Sequence, residues 1–282
     1  MEKFFQAGKC RFPLGERTYI MGILNVTPDS FSDGGKYFQP EQAVAHALEM
    51  QEQGADILDI GGQSTRPGHV AIPWEEEWAR IAPVLSALQG KVQAAVSVDT
   101  FYPQVAERAL AAGADIINDV TGFSPEMWRV AGKYPQCGCI VMHWQELSPQ
   151  EDAAAAVHRF FLQKKEEALA AGISLERLCM DPGVGFGKSY EQNLQLLAQV
   201  EREKLPETAF LMAASRKRVI GAPCGDPPFE ERMAGTLAAH TLAVAGGADI
   251  LRVHDIREAV QAARVADAVL HHSWKSCGKR KE

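Results

Sequence analysis

Short runs of apolar and β-branched residues alternate with longer amphipathic segments along almost the whole chain. Short apolar runs bounded by turn residues predict strands, and longer segments with helical periodicity predict helices. The predicted strands span residues 19–24, 57–60, 94–98, 116–118, 138–142, 178–180, 210–213 and 250–253. The predicted helices span 41–53, 74–89, 103–112, 125–134, 151–171, 190–203, 229–245 and 256–271. Eight strand-helix repeats are typical of a single (β/α)8 TIM barrel, an α/β fold, rather than of an open doubly wound sheet.

An internal repeat supports this architecture. The tetrapeptide Gly-Ala-Asp-Ile begins at Gly54, Gly113 and Gly247, each time between a predicted helix and a predicted strand. Glycine at this position can provide the left-handed residue that ends a helix. We therefore divide the chain into an N-terminal hairpin extension (1–17) that closes the bottom of the barrel, the barrel itself (18–272) and a frayed basic tail (273–282).

Composition narrows the class of protein. The chain has 282 residues, of which 46% are hydrophobic, and this is enough for one large core. The net charge of −7 argues against a nucleic-acid partner or an acidic membrane surface. The six cysteines include no Cys-x-x-Cys pair, a pattern that suits reduced thiols in the cytosol. We see no signal peptide and no membrane-spanning run, so we predict a soluble, cytoplasmic protein.

Polar residues stand at the end of nearly every predicted strand. In a barrel, these ends and the loops after them form the active site. One such residue alone is most often a turn or a helix cap, but so many on one face indicate a site. The strand-end residues include Asn25, Asp59, Asp99, Asn118, Asp119, His143, Asp181, Ser215, Lys217, Arg252 and His254.

The chemistry of these residues indicates two kinds of ligand group. Asp99, Asn118 and Asp181 offer acceptors that suit a flat heterocycle with N–H donors. The cationic side chains are Arg66, Lys217, Arg252 and His254. Cations gathered on an acidic protein favour an anionic substrate such as a phosphate ester. The residues alone thus predict a barrel enzyme for a polar heterocycle and an anion, without giving the reaction.

Two long motifs carry a family resemblance. Residues 21–35, Met-Gly-Ile-Leu-Asn-Val-Thr-Pro-Asp-Ser-Phe-Ser-Asp-Gly-Gly, resemble the first signature of the dihydropteroate synthases. Residues 59–68, Asp-Ile-Gly-Gly-Gln-Ser-Thr-Arg-Pro-Gly, resemble the second. Shorter matches follow in the family's order at 97–100, 117–119, 142–143, 181–188, 215–217 and 252–255, so the resemblance extends from about residue 19 to about residue 262.

The resemblance implies an activity. Such an enzyme condenses 6-hydroxymethyl-7,8-dihydropterin pyrophosphate with p-aminobenzoate to give 7,8-dihydropteroate and pyrophosphate in folate biosynthesis. It is a sulfonamide target, uses Mg²⁺ and is usually a homodimer.

The resemblance also implies roles for individual residues. The catalytic residues would be Asn25, Asp33, Asp99 and Lys217. The pterin would be bound by Asp99, Asn118, Met142, Asp181, Phe186 and Lys217, although core packing is a serious alternative for Met142. The pyrophosphate would be bound by Asn25, Arg252 and His254, and Asn25 would hold the Mg²⁺ ion. The p-aminobenzoate pocket would be formed by Phe31, Thr65, Arg66, Pro67, Phe186, Ser215 and Lys217.

Two segments depart from the family pattern. Gln63 stands where the family usually has Glu, and we interpret it as a variant in which the amide holds a similar hydrogen bond. The stretch after His143 lacks the usual Gly- or Pro-bearing loop sequence. The departures affect local detail rather than the family resemblance.

Three other functions remain as alternatives. A methyltetrahydrofolate:corrinoid methyltransferase shares a pterin-binding barrel but has no use for a pyrophosphate clamp. A Schiff-base aldolase could use Lys217, although arginines flank that residue on both sides and the other motifs would be unexplained. A pterin-binding paralogue without synthase activity would account for Gln63 but not for the retained Asn25 and Asp99.

Overall fold

The structure, a computed structural model, describes residues 3–27, 40–64 and 70–271. Within these residues, eight parallel strands close into a barrel in chain order, with the last strand paired to both the first and the seventh. This confirms the predicted TIM barrel. The barrel strands are β3 (Tyr19–Asn25), β4 (Ile57–Gly61), β5 (Ala95–Asp99), β6 (Ile116–Asp119), β7 (Gly138–Met142), β8 (Leu178–Asp181), β9 (Ala209–Met212) and β10 (Ile250–Val253).

Helices follow the strands and cover the outside of the barrel. They are α1 (Pro40–Gln53), α2 (Trp74–Leu88), α3 (Pro103–Ala111), α4 (Pro125–Gly132), α5 (Ala153–Ala170), α6 (Tyr190–Ala198), α7 (Val200–Glu203), α8 (Arg218–Gly221), α9 (Met233–Ala245) and α10 (Ile256–Leu270). Short 3-10 turns lie at Leu175–Arg177, Ala222–Cys224 and Phe229–Glu231. No helix in these three ranges is both long and apolar enough to cross a lipid bilayer.

Two helices differ from the sequence prediction. The segment 190–203 is broken at Gln199, whose φ of −128° and ψ of 33° are not helical. The segment 229–245 starts as a 3-10 turn and becomes α-helical only at Met233. In contrast, the three Gly-Ala-Asp-Ile glycines have the expected positive φ, between 93° and 106°.

A hairpin closes the bottom of the barrel. Strands β1 (Phe4–Ala7) and β2 (Cys10–Pro13) pair in antiparallel register. Phe5 and Phe12 join the apolar cluster inside the barrel. The N–H of Gly8 donates to the carbonyl of Gln136, just before the amino end of β7. The end opposite the hairpin is therefore the one left for a site.

Strand alternation explains why that open end is polar. The lower interior layer includes Ile57, Ala95, Ile116, Ile140, Cys179 and Ile250, all in the cluster with the hairpin. Side chains two positions further along a strand point to the same side of the sheet. Those positions are Asp59, Ser97, Asn118, Met142, Asp181 and Arg252. The fold thus stacks a layer of mainly polar side chains directly on the apolar interior.

Candidate active site

A cavity of about 1030 Å³ opens at the carboxyl ends of the strands. Asn25 at the end of β3 and Asp99 at the end of β5 line one part of it. The predicted site residues that line this one cavity are Asn25, Asp99, Phe186, Ser215, Lys217, Arg252 and His254. Residues up to 229 positions apart in sequence are therefore brought together, since Asn25 and His254 are the first and last residues of this set.

Arg252 forms the central contact of the site. Its Nε donates to Oδ2 of Asp59 over 2.7 Å, and its Nη2 donates to Oδ2 of Asp99 over 2.8 Å. Asn118 extends the network, because its Nδ2 donates to the same Asp59 oxygen over 3.1 Å. Strands β10, β4, β5 and β6 are thus joined by side chains inside the barrel.

Burial and charge act against each other in this network. Burial alone would lower the pKa of the Arg252 guanidinium, but the carboxylates of Asp59 and Asp99 outweigh it and raise that pKa. Arg252 therefore stays positively charged at any pH at which the protein is folded. Burial raises the pKa of Asp99, while the Arg252 charge lowers it in part. The ionised form of Asp99 thus depends on its contact with Arg252.

Lys217 follows β9 in the chain and lines the same cavity. Its Nζ donates to the carbonyl of Val184 over 2.6 Å and lies 4.8 Å from the ring centroid of Phe186. Burial lowers the pKa of this lysine to about 8, although the carboxylate of Asp181 raises it. A lysine with this pKa remains mainly a hydrogen-bond donor at neutral pH.

The segment after β9 forms another wall of the cavity. Ser215 Oγ and His254 Nδ1 are 2.9 Å apart and share a hydrogen bond. Arg216 has a φ of 56°, which is unusual for a residue other than glycine. Its side chain is held by Asp255, with Nε donating to Oδ2 over 2.9 Å. Arg216 is thus turned toward Asp255 while the neighbouring Lys217 faces the cavity.

Three residues predicted to bind the heterocycle are buried and do not line the cavity. They are Asn118, Met142 and Asp181, at the ends of β6, β7 and β8. Oδ1 of Asp181 accepts the N–H of Gly183 over 2.7 Å. These residues belong to the polar layer that lies on the apolar interior of the barrel. The predicted residues Phe31, Asp33, Thr65, Arg66 and Pro67 lie outside the described residues.

Three residues at the site received no role in the sequence analysis. Asp59 stands among the strand-end residues, but its partner Arg252 is 193 positions away. Lys188 lines the cavity, and its Nζ donates to the carbonyl of His143 over 2.7 Å. Burial lowers the pKa of Lys188 to about 7, although Asp181 raises it. Asn193, in the first turn of α6, also lines the cavity.

The two departures from the family pattern both have partners. Nε2 of Gln63 donates to the Glu77 carboxylate in α2, and Oε1 of Gln63 accepts the N–H of Ile72 over 3.3 Å. The stretch after His143 runs beside the loop that follows β8, where the N–H of Leu147 donates to the carbonyl of Gly187 over 3.0 Å. The amide of Gln63, two residues after β4, is thus connected both to Ile72 and to Glu77 in α2.

Known proteins similar to this chain agree in family. A family model described as "Pterin binding enzyme" matches residues 21–254. A dihydropteroate synthase from Clostridium beijerinckii is 42% identical over 266 residues, covering 93% of this chain and 98% of the relative. The dihydropteroate synthase of Escherichia coli (strain K12) is 41% identical over 260 residues, covering 89% of this chain and 92% of the relative.

Solved structures give the same result. The Xanthomonas albilineans dihydropteroate synthase with 4-aminobenzoic acid superposes with a TM-score of 0.89 at 44% identity, covering 96% of this chain and 99% of that one. The same protein in complex with 7,8-dihydropteroate superposes with a TM-score of 0.85 at 43% identity, covering 95% and 98%. Sequence and fold similarity therefore point to one family.

The contact between Gln63 and Glu77 predicts a pH-dependent effect of Gln63→Glu. The variant places two buried carboxyl groups together, and they must share a proton. The pKa of the pair in the folded protein is then raised above the unfolded value of about 4.3. Stability is therefore retained at low pH and lost as the pH rises through the folded pKa. We expect the variant to match the parent near pH 5 and to be less stable by about 1–3 kcal/mol at pH 8.

Thermal unfolding between pH 5 and pH 8 measures this effect. The matched control is the exchange variant Gln63→Glu/Glu77→Gln, which restores an amide-carboxylate pair and should remove the extra pH dependence. A Gln63→Glu melting temperature that follows the parent across the whole range would contradict the assignment of this contact.

Proposed function

This chain belongs to the dihydropteroate synthase family, and from that premise we propose that it condenses 6-hydroxymethyl-7,8-dihydropterin pyrophosphate with p-aminobenzoate, giving 7,8-dihydropteroate and pyrophosphate. One observation carries the proposal. A single cavity joins the acceptor Asp99, the donor Lys217 and the cation Arg252 at the open end of the barrel. This arrangement offers complementary groups to a heterocycle with both donors and acceptors and to an attached anion.

The pterin is proposed to bind toward the polar layer of the barrel. Asp181 accepts hydrogen bonds from the exocyclic amine and ring N–H, and Asn118 and Asp99 bind the other ring nitrogens. Lys217 donates to the acceptor side of the ring, while Phe186 and Met142 provide apolar contact. The burial of Asp181 and Asn118 supports these roles, because each hydrogen bond made there is shielded from water.

The pyrophosphate is proposed to bind at Arg252, His254 and Asn25. These side chains line the same cavity, so they can act on one group. In the structure Arg252 is already paired with Asp59 and Asp99. The pyrophosphate must therefore share or replace these carboxylates as partners of the guanidinium. The negative charge that the pyrophosphate gains as it departs is stabilised by such contacts.

Magnesium is proposed to accompany the pyrophosphate at Asn25. Residues 3–27, 40–64 and 70–271 contain no cluster of three or more His, Cys, Asp or Glu side chains suited to a metal. The side-chain oxygen of Asn25 faces the end of β4, 3.6 Å from where a Cβ on Gly61 would lie. One amide oxygen fits Mg²⁺, which keeps most of its positions for water and phosphate. When bound, the ion would neutralise charge on the leaving group.

The proposed reaction needs no protein nucleophile. The bond between the pterin methylene carbon and the pyrophosphate oxygen breaks, and the electron pair leaves with the pyrophosphate. The arylamine nitrogen forms the new bond to that carbon and loses one proton to water, so the products are dihydropteroate, pyrophosphate and one proton. Asp99, whose carboxylate contacts Arg252, stabilises the positive charge of the pterin between these steps, and Asp33 is assigned to the same catalytic set.

The p-aminobenzoate is proposed to enter from the outer part of the cavity. Phe186, Lys217 and Ser215 line the cavity. Ser215 is proposed to lie close to the p-aminobenzoate carboxylate. The remaining walls are assigned by family resemblance to Phe31, Thr65, Arg66 and Pro67. Because sulfonamides resemble p-aminobenzoate, we expect them to compete at the same place.

The Schiff-base alternative is less well supported than the synthase. Burial lowers the pKa of Lys217 to about 8, in the direction that a Schiff-base lysine needs. Its ammonium, however, donates to the carbonyl of Val184. The relatives and solved structures are synthases, and none of those reported above is an aldolase or a corrinoid methyltransferase.

The chain is proposed to act as a homodimer in the cytoplasm. Val265 and Val269 on α10 line a shallow groove between α9 and α10 and are 66% and 62% exposed. Leu242 on α9 is 64% exposed. A second copy of the chain would cover this apolar face. The cysteines in the described ranges are free thiols, which suits a reducing compartment.

Sedimentation equilibrium tests the dimer. We expect a species of twice the chain mass of 30.8 kDa at micromolar concentration. A species of 30.8 kDa alone would contradict the assignment of the α9–α10 face.

The activity is tested by mixing the purified chain with the dihydropterin pyrophosphate, p-aminobenzoate and Mg²⁺. We expect equal amounts of dihydropteroate and pyrophosphate to form. Asp181→Ala should no longer bind the pterin substrate, because it removes the carboxylate that accepts hydrogen bonds from the exocyclic amine and the ring N–H. The absence of any dihydropteroate from the folded parent protein would reject the proposed function. Unchanged pterin affinity in Asp181→Ala would reject the proposed pterin position.

A further inference from the structure

The loop between β8 and α6 approaches Lys217 closely. Gly183, Gly185 and Gly187 in this loop have φ values of 69°, 87° and 60°, which favour glycine. A Cβ on Gly185 would lie 3.2 Å from Cδ of Lys217. A Cβ on Gly183 would lie only 2.0 Å from the carbonyl oxygen of His143. The loop is thus confined between β7 on one side and the Lys217 side chain on the other.

This loop also provides the partners of the Lys217 ammonium. The carbonyl of Val184 accepts its hydrogen bond over 2.6 Å. The ring of Phe186 lies 4.8 Å from the same nitrogen. The position of Lys217 in the cavity therefore depends on how the loop is held.

Asn193 holds the centre and the end of the loop. Its Oδ1 accepts the N–H of Gly185 over 2.5 Å. Its Nδ2 donates to the carbonyls of Lys188 and Ser189 over 3.2 and 2.7 Å. The side chain is only 6% exposed. One amide group therefore connects three backbone groups that lie on either side of Phe186.

We propose that Asn193 is a positioning residue, whose side-chain amide holds the loop so that the Val184 carbonyl orients the Lys217 ammonium toward the pterin. The inference rests on the proposed function, because it assigns Lys217 to that substrate. Asn193 itself acts through the loop and through Lys217.

An amide suits this position for a chemical reason. The N–H of Gly185 needs an acceptor, whereas the carbonyls of Lys188 and Ser189 need donors. Asparagine provides both in one short side chain. Aspartate would keep the acceptor for Gly185 but would bring oxygen lone pairs against two carbonyls.

A double-mutant cycle tests the connection to Lys217. Asn193→Ala is made in the parent and in Lys217→Met, and the dissociation constant for 6-hydroxymethyl-7,8-dihydropterin pyrophosphate is measured by calorimetry. We expect Asn193→Ala to weaken binding about tenfold in the parent, because a displaced loop moves the ammonium. In Lys217→Met the same change should weaken binding clearly less than in the parent, since no ammonium is left to orient and only the contact of Phe186 with the pterin can still change.

Two further variants separate positioning from loss of stability. Asn193→Asp keeps the acceptor for Gly185 and should recover part of the affinity lost in Asn193→Ala. Gln195→Ala is the matched control, because Oε1 of Gln195 on the same helix accepts the N–H of Ala153 over 3.1 Å, away from the loop. It should lower the melting temperature while leaving the pterin affinity unchanged.

The outcomes distinguish this inference from the proposed function. An equal loss of affinity on Asn193→Ala in both backgrounds would overturn the positioning role while the function stands. Loss of affinity in Gln195→Ala as large as in Asn193→Ala would also overturn it. If the parent protein does not bind the dihydropterin pyrophosphate at all, the proposed function fails together with the inference.

Discussion

One guanidinium between two buried carboxylates organises the open end of this barrel. Arg252 contacts Asp59 and Asp99, and Asn118 contacts Asp59 in turn. Buried carboxylates are costly unless a cation compensates them, and removing one partner of such a contact leaves the other uncompensated. The polar layer on top of the apolar barrel interior therefore depends on this contact. It also fixes the carboxylate of Asp99 in the cavity without the help of a ligand.

The same contact bears on how the proposed site works. If Arg252 turns to the pyrophosphate, its guanidinium no longer fully balances the negative charge of Asp59 and Asp99. The pterin that carries the pyrophosphate brings N–H donors, and later a positive charge, to this region. The N–H donors and the positive charge of the pterin can thus replace the hydrogen bonds and the charge that Arg252 withdraws from the two carboxylates. Binding of the anion and binding of the heterocycle are therefore coupled. Lys217, whose ammonium is held by the loop after β8, is the second cation of this arrangement.

The sequence predicted much of the architecture because strand and helix periodicities are local signals. The barrel and the left-handed glycines are confirmed, and strand-end residues such as Asn25 and Ser215 do line one cavity. Contacts between distant residues were beyond a single sequence. Nothing local connects Asp59 to Arg252, and nothing in a helical pattern shows that Asn193 turns back to the loop before its own helix.

The free energy of unfolding of Arg252→Leu is the most direct test of this account. The variant leaves Asp59 and Asp99 buried without their cation, so we expect a loss of about 3–5 kcal/mol at pH 7. Adding Asp59→Asn and Asp99→Asn removes both charges and should restore most of that stability. If Arg252→Leu alone unfolds with the same free energy as the parent, the contact does not organise the site and the account is contradicted.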